Sequence, residues 1–170
     1  HQFAELRIAW TSLHETAPLP DAIETAPEPM PAHTLTRLLE EVRARLGGSS
    51  AKHSEAVAAE AALLAEAYGI DRDEARLAGL LHDWARDLDA ETLRSSARAA
   101  GHEMLEADER VPYLLHAPVG AVEVARDFPG VSEAIVRAIE RHTLGARDMS
   151  GLDMVVYLAD MLEPGRTFEG

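Results

Sequence analysis

The chain has 170 residues, 46% of them hydrophobic and 27% charged, a composition typical of one globular domain rather than of a disordered chain. Its 30 acidic and 16 basic residues give a formal net charge of −14, which disfavours nucleic acid and anionic lipid as partners. Cysteine is absent, which excludes disulfides and thiolate metal sites and leaves imidazoles and carboxylates as metal ligands. The sequence has no apolar run near the roughly 20 residues of a membrane helix and no signal-peptide layout at its start, so we expect a cytoplasmic protein.

Residues 1–33 are predicted to be a separate segment of unknown function. They hold a short apolar-periodic piece and then the stretch APLPDAIETAPEPMPAH, whose five prolines exclude a helix and indicate a linker. From residue 34 to residue 170 the pattern is helical and rich in alanine and leucine, with no alternating stretch typical of a strand. We therefore predict an all-α fold, with one domain over residues 34–170.

Helix caps divide this domain into elements. Ser, Asp and Gly residues stand where helices commonly begin or end. The predicted helices are, in order, about Leu35–Leu46, about Ala51–Tyr68 capped by Ser49 or Ser50, one from the Asp71 cap to about Leu88, one from the Asp89 cap to Gly101, one with Pro118 in its first turn that ends near Phe128, one from the Ser132 cap to Gly145, and one from the Ser150 cap to about Glu163.

The pair His82 and Asp83 is the first candidate for chemistry. At about 100° per residue the two side chains point away from the apolar stripe of their helix. Ala78 and Gly79, one turn earlier, are small enough to let another group approach closely. A His-Asp pair alone arises often by chance, so the other polar residues have to decide its meaning.

Asp160 is the most informative of these other residues. It lies within the apolar run VVYLADML, and burying an ionised carboxylate without a partner costs several kcal/mol, so a cation must face it. That cation is either a lysine or arginine or a divalent metal. Taken singly, His53 and His142 are better explained as core histidines, and His116 fits a surface loop equally well. A metal would serve the whole set at once, namely His53, His82, Asp83, His116, His142 and Asp160.

The order His…His-Asp…His…His…Asp resembles that of the HD phosphohydrolase superfamily. The stretches KHSEAV, AGLLHDWARDL, LLHAPVGA, AIERHTLG and MSGLDMVVYLADMLEPGR are similar to the YqeK-type HD-domain family of symmetrical bis(5′-nucleosyl)-tetraphosphatases, from about residue 35 to residue 170. This resemblance implies an all-helical HD-domain bundle with a metal site between helices. It implies two divalent metal ions, iron being expected and manganese, cobalt or magnesium the alternatives. It also implies diadenosine tetraphosphate as the substrate, cut into two ADP.

Arg86 is the leading candidate for binding the substrate. The family usually has lysine at this position, and it usually reads HTTG where this chain reads HTLG. We predict that Arg86 contacts a phosphate beside the metals, and the alternative is a surface ion pair with Asp87 or Asp89. Thr143 and Arg166 are further candidates for phosphate contacts, with helix capping or solvation as their alternative.

The predicted chemistry is hydrolysis by a hydroxide held on two cations that Asp83 bridges, which requires no nucleophilic side chain. His82, Asp83 and Arg86 are the candidate catalytic residues. Two alternatives stay open at this point, namely another nucleotide substrate, such as a nucleoside monophosphate or a guanosine polyphosphate, and a nucleotide-binding regulatory module. The oligomeric state is open too, and a homodimer is among the states considered.

Overall fold

The computed structural model describes residues 32–165, with side chains from residue 35 onward. Within this range the chain forms eight α-helices, one short 3-10 helix and no strand, so the all-α prediction is confirmed. Residues 1–31 and 166–170 lie outside the described part, and the predicted boundary between a linker and a domain therefore stays a prediction. The helices are α1 (Ala32–Arg45), α2 (Gly48–Tyr68), α3 (Arg72–Leu81), α4 (Ala90–Ala99), α5 (Glu106–Arg110), the 3-10 helix (Pro112–Leu115), α6 (His116–Asp127), α7 (Glu133–Arg141) and α8 (Gly151–Leu162).

Four of the predicted helix caps are confirmed. The side chains of Asp71, Asp89 and Ser132 accept hydrogen bonds from backbone N–H groups in the first turns of α3, α4 and α7. Ser150 and Asp153 form a reciprocal capping box at the start of α8. Each of these bonds satisfies an N–H group that has no partner within its own helix.

The predicted cap of α2 is wrong. Ser49 and Ser50 lie inside the first turn of α2, and Gly47 is the N-cap, without a side-chain bond of its own. Instead, Asp87 accepts the N–H of Gly47 at 2.6 Å and the hydroxyl of Ser50 at 2.8 Å. A carboxylate is favourable at the positive end of a helix dipole. The loop after α3 therefore fixes the start of the helix that carries His53.

Two predicted helix ends are also wrong, because α3 stops at Leu81 rather than Leu88 and α7 stops at Arg141 rather than Gly145. After Leu81 the backbone bonds join residues three apart rather than four, at residues 81–84, 83–86 and 85–88. Residues 82–85 are all buried there, as are residues 77–81 at the end of α3. The two short elements over residues 106–115 were not predicted, since they are too brief to show a periodic pattern.

The hydrophobic core has two parts, and the polar centre lies between them. The larger part is formed mainly by α2, α3, α7 and α8, and it includes Leu81 and Trp84. The smaller part joins α4 and α6 to the chain after α3, and it includes Ala85 and Leu115. The turn after α3 therefore places His82 and Asp83 where the two parts meet.

Helices α2 and α3 approach closely at Gly79, where an added Cβ would lie 3.0 Å from the backbone of Val57 and of Ala58. We expect Gly79→Ala to lower the free energy of unfolding by about 1 to 3 kcal/mol, because backbone atoms yield little to an added methyl group. Urea denaturation measures this effect. Gly48→Ala is the control, since a Cβ there meets no atom within 4 Å. Equal stability of the two variants would contradict the close approach.

Candidate metal centre

The structure brings all six predicted ligand residues together. They come from three helices and from the turns that follow α3 and α7, and their side chains are at most 13% exposed. The six are His53 in α2, His82 and Asp83 after α3, His116 at the start of α6, His142 after α7, and Asp160 in α8. Residues far apart in the sequence thus form one buried polar centre.

Three of the imidazoles are oriented in the same way. The Nδ1 atoms of His82, His116 and His142 lie 2.7, 2.5 and 2.7 Å from the backbone carbonyl oxygen three residues earlier. A carbonyl oxygen only accepts, so each Nδ1 carries a proton and donates it. The Nε2 atom of each ring is therefore left to face the centre, as in histidines that bind metal.

Asp83 lies between two pairs of histidines. Its Oδ2 atom is 3.2 Å from Nε2 of His82 and 3.5 Å from Nε2 of His53. Its Oδ1 atom is 3.2 Å from Nε2 of His116 and 3.7 Å from Nε2 of His142. Each oxygen of one carboxylate thus faces a different pair, an arrangement that suits a ligand bridging two cations.

Asp160 distinguishes the two sides of the centre. Its Oδ1 atom lies 2.9 Å from Nε2 of His53 and 3.7 Å from Nε2 of His82. We call the group of His53, His82, Asp160 and the Oδ2 atom of Asp83 the acidic half. We call the group of His116, His142 and the Oδ1 atom of Asp83 the histidine half. Ligand atoms within 4.8 Å of one another are offered by His53, His82 and Asp83 in the acidic half and by Asp83, His116 and His142 in the histidine half. A third such group, His82, His142 and Asp160, joins the two halves.

The donor atoms of the centre fit a cation. Nε2 of His116 and Nε2 of His142 are only 3.0 Å apart, and two lone pairs at that distance repel unless a positive charge lies between them. The buried Nε2 atoms of His53 and His82 form no hydrogen bond of acceptable geometry within the described part of the chain. Imidazole nitrogens and carboxylate oxygens suit divalent transition ions, so the residues present fit a metal centre.

The protonation states of the centre also suit a metal site. Burial by itself raises the pKa of the Asp83 carboxyl, but the surrounding imidazoles of His82, His116 and His142 outweigh it and hold the pKa well below its usual range. Burial also lowers the pKa of His142, which favours its neutral, ligating form. The centre thus combines an ionised carboxylate with at least one neutral imidazole.

Arg86 reaches the centre from its edge, and it does not form the surface pair with Asp87 or Asp89 that was the alternative to a phosphate contact. Its guanidinium forms an ion pair with Oδ2 of Asp83, and its side chain is 30% exposed. Asp87 instead binds the start of α2, and Asp89 caps α4. The Arg86 guanidinium also lies 5.8 Å from the ring centroid of Tyr113. Arg86 therefore lies between the buried carboxylate and solvent.

Other side chains border the same centre. The hydroxyl oxygen of Thr143 is 3.2 Å from Nε2 of His142 and 3.5 Å from Nε2 of His116. Sequence reasoning missed Tyr113, whose ring centroid is 4.5 Å from that of His116. It also missed Glu163, although that residue stands in the MLEPGR stretch that carried part of the family resemblance. Arg166, the remaining predicted phosphate contact, lies outside the described residues.

The family model of the HD domain matches residues 50–165, a range that includes all six candidate ligands. The chain belongs to the HD domain family. HD domains are metal-dependent, and the described residues of this HD domain include groups that could bind metal. Within residues 32–165, no helix is long and apolar enough to cross a membrane.

Named relatives place this HD domain more narrowly. It is 35% identical over 137 residues to a protein of Halalkalibacterium halodurans and 37% identical over 120 residues to one of Bacillus subtilis, both named symmetrical bis(5′-nucleosyl)-tetraphosphatase. The first match covers 79% of this chain and 71% of the relative, and the second covers 69% and 63%. The chain thus spans about two thirds of the length of these relatives. The family resemblance stated from the sequence, that to the YqeK-type group, is confirmed.

A solved structure agrees with this assignment. The fold is similar to the crystal structure of a Clostridium acetobutylicum HD superfamily hydrolase described as involved in NAD metabolism, with a TM-score of 0.73 and 37% sequence identity. The match covers 80% of this chain and 72% of the other. The expected HD-domain bundle is therefore confirmed.

Proposed function

We propose that this protein is a metal-dependent phosphohydrolase that cleaves diadenosine tetraphosphate symmetrically into two ADP. The observation that carries the proposal is the Asp83 carboxylate, whose two oxygens face two separate histidine pairs. The relatives that bear the name symmetrical bis(5′-nucleosyl)-tetraphosphatase support the choice of substrate. A cytoplasmic location and a homodimeric state stay predictions.

We further propose that the centre holds two divalent cations, one in each half, with iron as the expected metal and manganese, cobalt or magnesium as alternatives. The proposed ligands are the six residues predicted from the sequence. When bound, such a pair of cations supplies an activated water and neutralises phosphoryl oxygens during in-line displacement. The protein's own side chains have to hold and orient the reacting groups and leave the substrate access to the centre.

The buried residues orient the centre. The N–H···O=C bonds of His82, His116 and His142 fix the three rings before any substrate arrives. The ionised Asp83 carboxylate joins the two halves and compensates positive charge in both. Because these groups are held in place by the core, the reaction requires little reorganisation of the protein.

The groups at the edge bind the substrate in this proposal. The Arg86 guanidinium offers a planar pair of N–H donors that suits a phosphate, and the Thr143 hydroxyl offers one more donor. A net charge of −14 repels a polyphosphate at long range, so capture has to be local. Substrate affinity should therefore depend on the metal and on Arg86.

Product analysis tests the proposed function. Protein loaded with Fe²⁺, Mn²⁺, Co²⁺ or Mg²⁺ is incubated with diadenosine tetraphosphate, a nucleoside monophosphate and a guanosine polyphosphate, and the products are separated by ion exchange. We expect ADP as the only nucleotide product from diadenosine tetraphosphate. The pair ATP and AMP would contradict symmetric cleavage. Preference for another nucleotide would contradict the substrate, and binding without turnover would indicate a regulatory module.

Arg86 provides a separate prediction. We expect Arg86→Ala to weaken kcat/KM by about 1.5 to 3 kcal/mol, the contribution of a charge-assisted hydrogen bond to phosphate, while metal content stays unchanged. Arg86→Lys should recover much of this loss, because a point charge still attracts phosphate. Steady-state kinetics with metal-replete protein measures both effects.

The ion pair of Arg86 with Asp83 calls for a control on metal affinity. If Arg86 only holds Asp83 in place, Arg86→Ala should change the affinity for metal rather than the affinity for substrate. An unchanged kcat/KM in Arg86→Ala would remove this residue from the site altogether. Metal titration of the same variant separates these results.

A further inference from the structure

His53 differs from the other three histidines of the centre in what its Nδ1 atom contacts. The other three rings donate to backbone carbonyls, whereas Nδ1 of His53 lies 3.2 Å from the carboxylate oxygen Oε1 of Glu163. Glu163 is only 6% exposed, and it directly follows α8, the helix that carries Asp160. A buried carboxylate thus lies behind one imidazole of the acidic half.

The carboxylate of Glu163 is held in this place by its own chain. Its Oε2 atom accepts the backbone N–H of Gly165 at 2.8 Å. A Cβ at position 165 would lie 3.0 and 3.1 Å from the two carboxylate oxygens, so a side chain there would displace the carboxylate by a few tenths of an ångström. The turn after α8 therefore aims Oε1 at His53.

Glu163 contacts the outer side of the His53 ring and not the centre itself. Nδ1 of His53 faces Glu163, while Nε2 of the same ring faces Asp160 at 2.9 Å and Asp83 at 3.5 Å. Among the described residues, Glu163 belongs to none of the groups whose ligand atoms lie within 4.8 Å of one another. Its geometry is that of a group that orients a ligand rather than that of a ligand.

A carboxylate behind an imidazole has two effects on a metal ligand. It fixes the proton on Nδ1 and the direction of Nε2, and it makes the ring a stronger donor. Negative charge is also distributed unequally in this centre. The acidic half has Asp160 and the nearby Glu163 besides its share of Asp83, and the Arg86 guanidinium that pairs with Oδ2 of Asp83 offsets one of these negative charges. The two histidines of the histidine half are backed by neutral carbonyls.

We propose that Glu163 is a positioning residue for His53 and that it makes the acidic half the tighter of the two cation positions. This inference rests on the proposed function only in that it requires a centre that binds metal. It does not depend on which nucleotide is hydrolysed.

Metal titration of the whole chain tests the proposal. Metal-free protein is titrated with Co²⁺ by calorimetry, and the visible spectrum of the bound cobalt is followed in parallel. We expect the wild-type chain to show one tighter and one weaker binding event. Glu163→Ala should weaken the tighter event by about 10- to 100-fold, the usual effect of losing a group that orients a metal ligand, and leave the weaker event unchanged.

Glu163→Gln separates the hydrogen bond from the charge. The single amide oxygen of glutamine can accept the N–H of His53, at the expense of the bond from the backbone N–H of Gly165, and it carries no charge. This variant should therefore recover part of the lost affinity. A merely structural role of Glu163 predicts no such recovery and no selective effect on one binding event. Glu74→Gln is the matched control, since Glu74 is a half-buried carboxylate that accepts a hydrogen bond from Ser132 at 2.7 Å, away from the centre.

Several results would overturn the proposal. In Glu163→Ala, these are an unchanged affinity of the tighter binding event or an equal loss of affinity in both events. The others are two binding events of equal affinity in the wild-type chain and a loss of affinity in Glu74→Gln as large as that in Glu163→Ala. A wild-type chain that takes up no metal at all would instead overturn the proposed function. The two failures are therefore distinguishable.

Discussion

Replacing either His82 or Asp83 with alanine is expected to lower the rate of hydrolysis by about a thousandfold or more, since either change removes a ligand and with it both the activated water and the charge neutralisation. The loss should be larger for Asp83→Ala, because the two oxygens of Asp83 face both halves of the centre. The measurement is kcat on diadenosine tetraphosphate, together with the metal content of each variant.

Asp89→Ala is the control for these two variants. Asp89 caps α4 on the surface, and its loss should cost about 1 kcal/mol of stability without changing metal content. Far-ultraviolet circular dichroism should show that His82→Ala and Asp83→Ala keep the helical fold. Near-normal activity of either variant at normal metal content would mean that the site has been misplaced.

Removal of the metal is expected to have the second large effect. The purified protein should carry near-stoichiometric transition metal, because the Nε2 atoms of His116 and His142 face each other at 3.0 Å and the oxygens of Asp83 face four imidazoles, a donor set that a divalent cation stabilises. A chelator should therefore lower the free energy of unfolding, by about 4 kcal/mol relative to protein in free metal a thousandfold above Kd.

Elemental analysis and thermal unfolding with and without chelator measure this effect. Adding back Fe²⁺, Mn²⁺ or Co²⁺ should restore the melting temperature of the wild-type chain, and the ion that restores it most identifies the preferred metal. Asp83→Ala serves as the control, since it should respond little to either chelator or metal. A wild-type chain that neither takes up these ions nor gains stability from them would rule out the metal centre.

Much of the local structure could be predicted because its causes are local. The caps at Asp71, Asp89, Ser132 and Ser150 depend on bonds between groups at most three residues apart, so a short stretch of sequence contains both partners. The cap of α2 could not be predicted in this way. Its partner, Asp87, comes from the loop after α3, and only tertiary packing brings that loop to Gly47.

The ends of α3 and α7 could not be predicted from the local sequence either. The apolar stripe of Leu77, Leu81, Trp84 and Leu88 favours continuing α3 to Leu88. The chain instead forms tighter turns after Leu81, and they place both His82 and Asp83 at the junction of the two core parts. A tertiary requirement thus overrides a weak local preference.

By itself, the sequence determined the all-α class, four of the helix caps and the six polar residues of the candidate centre, because local patterns record the helices and the order of His and Asp residues records the candidate ligands. Only the tertiary structure decided how these residues meet. It showed that the oxygens of Asp83 face different histidine pairs, that Arg86 pairs with Asp83 rather than with a surface carboxylate, and that Glu163 lies behind His53. The physical reason is distance along the chain, since His53 and Glu163 are 110 residues apart and no local pattern records a contact that packing of α2 against α8 creates.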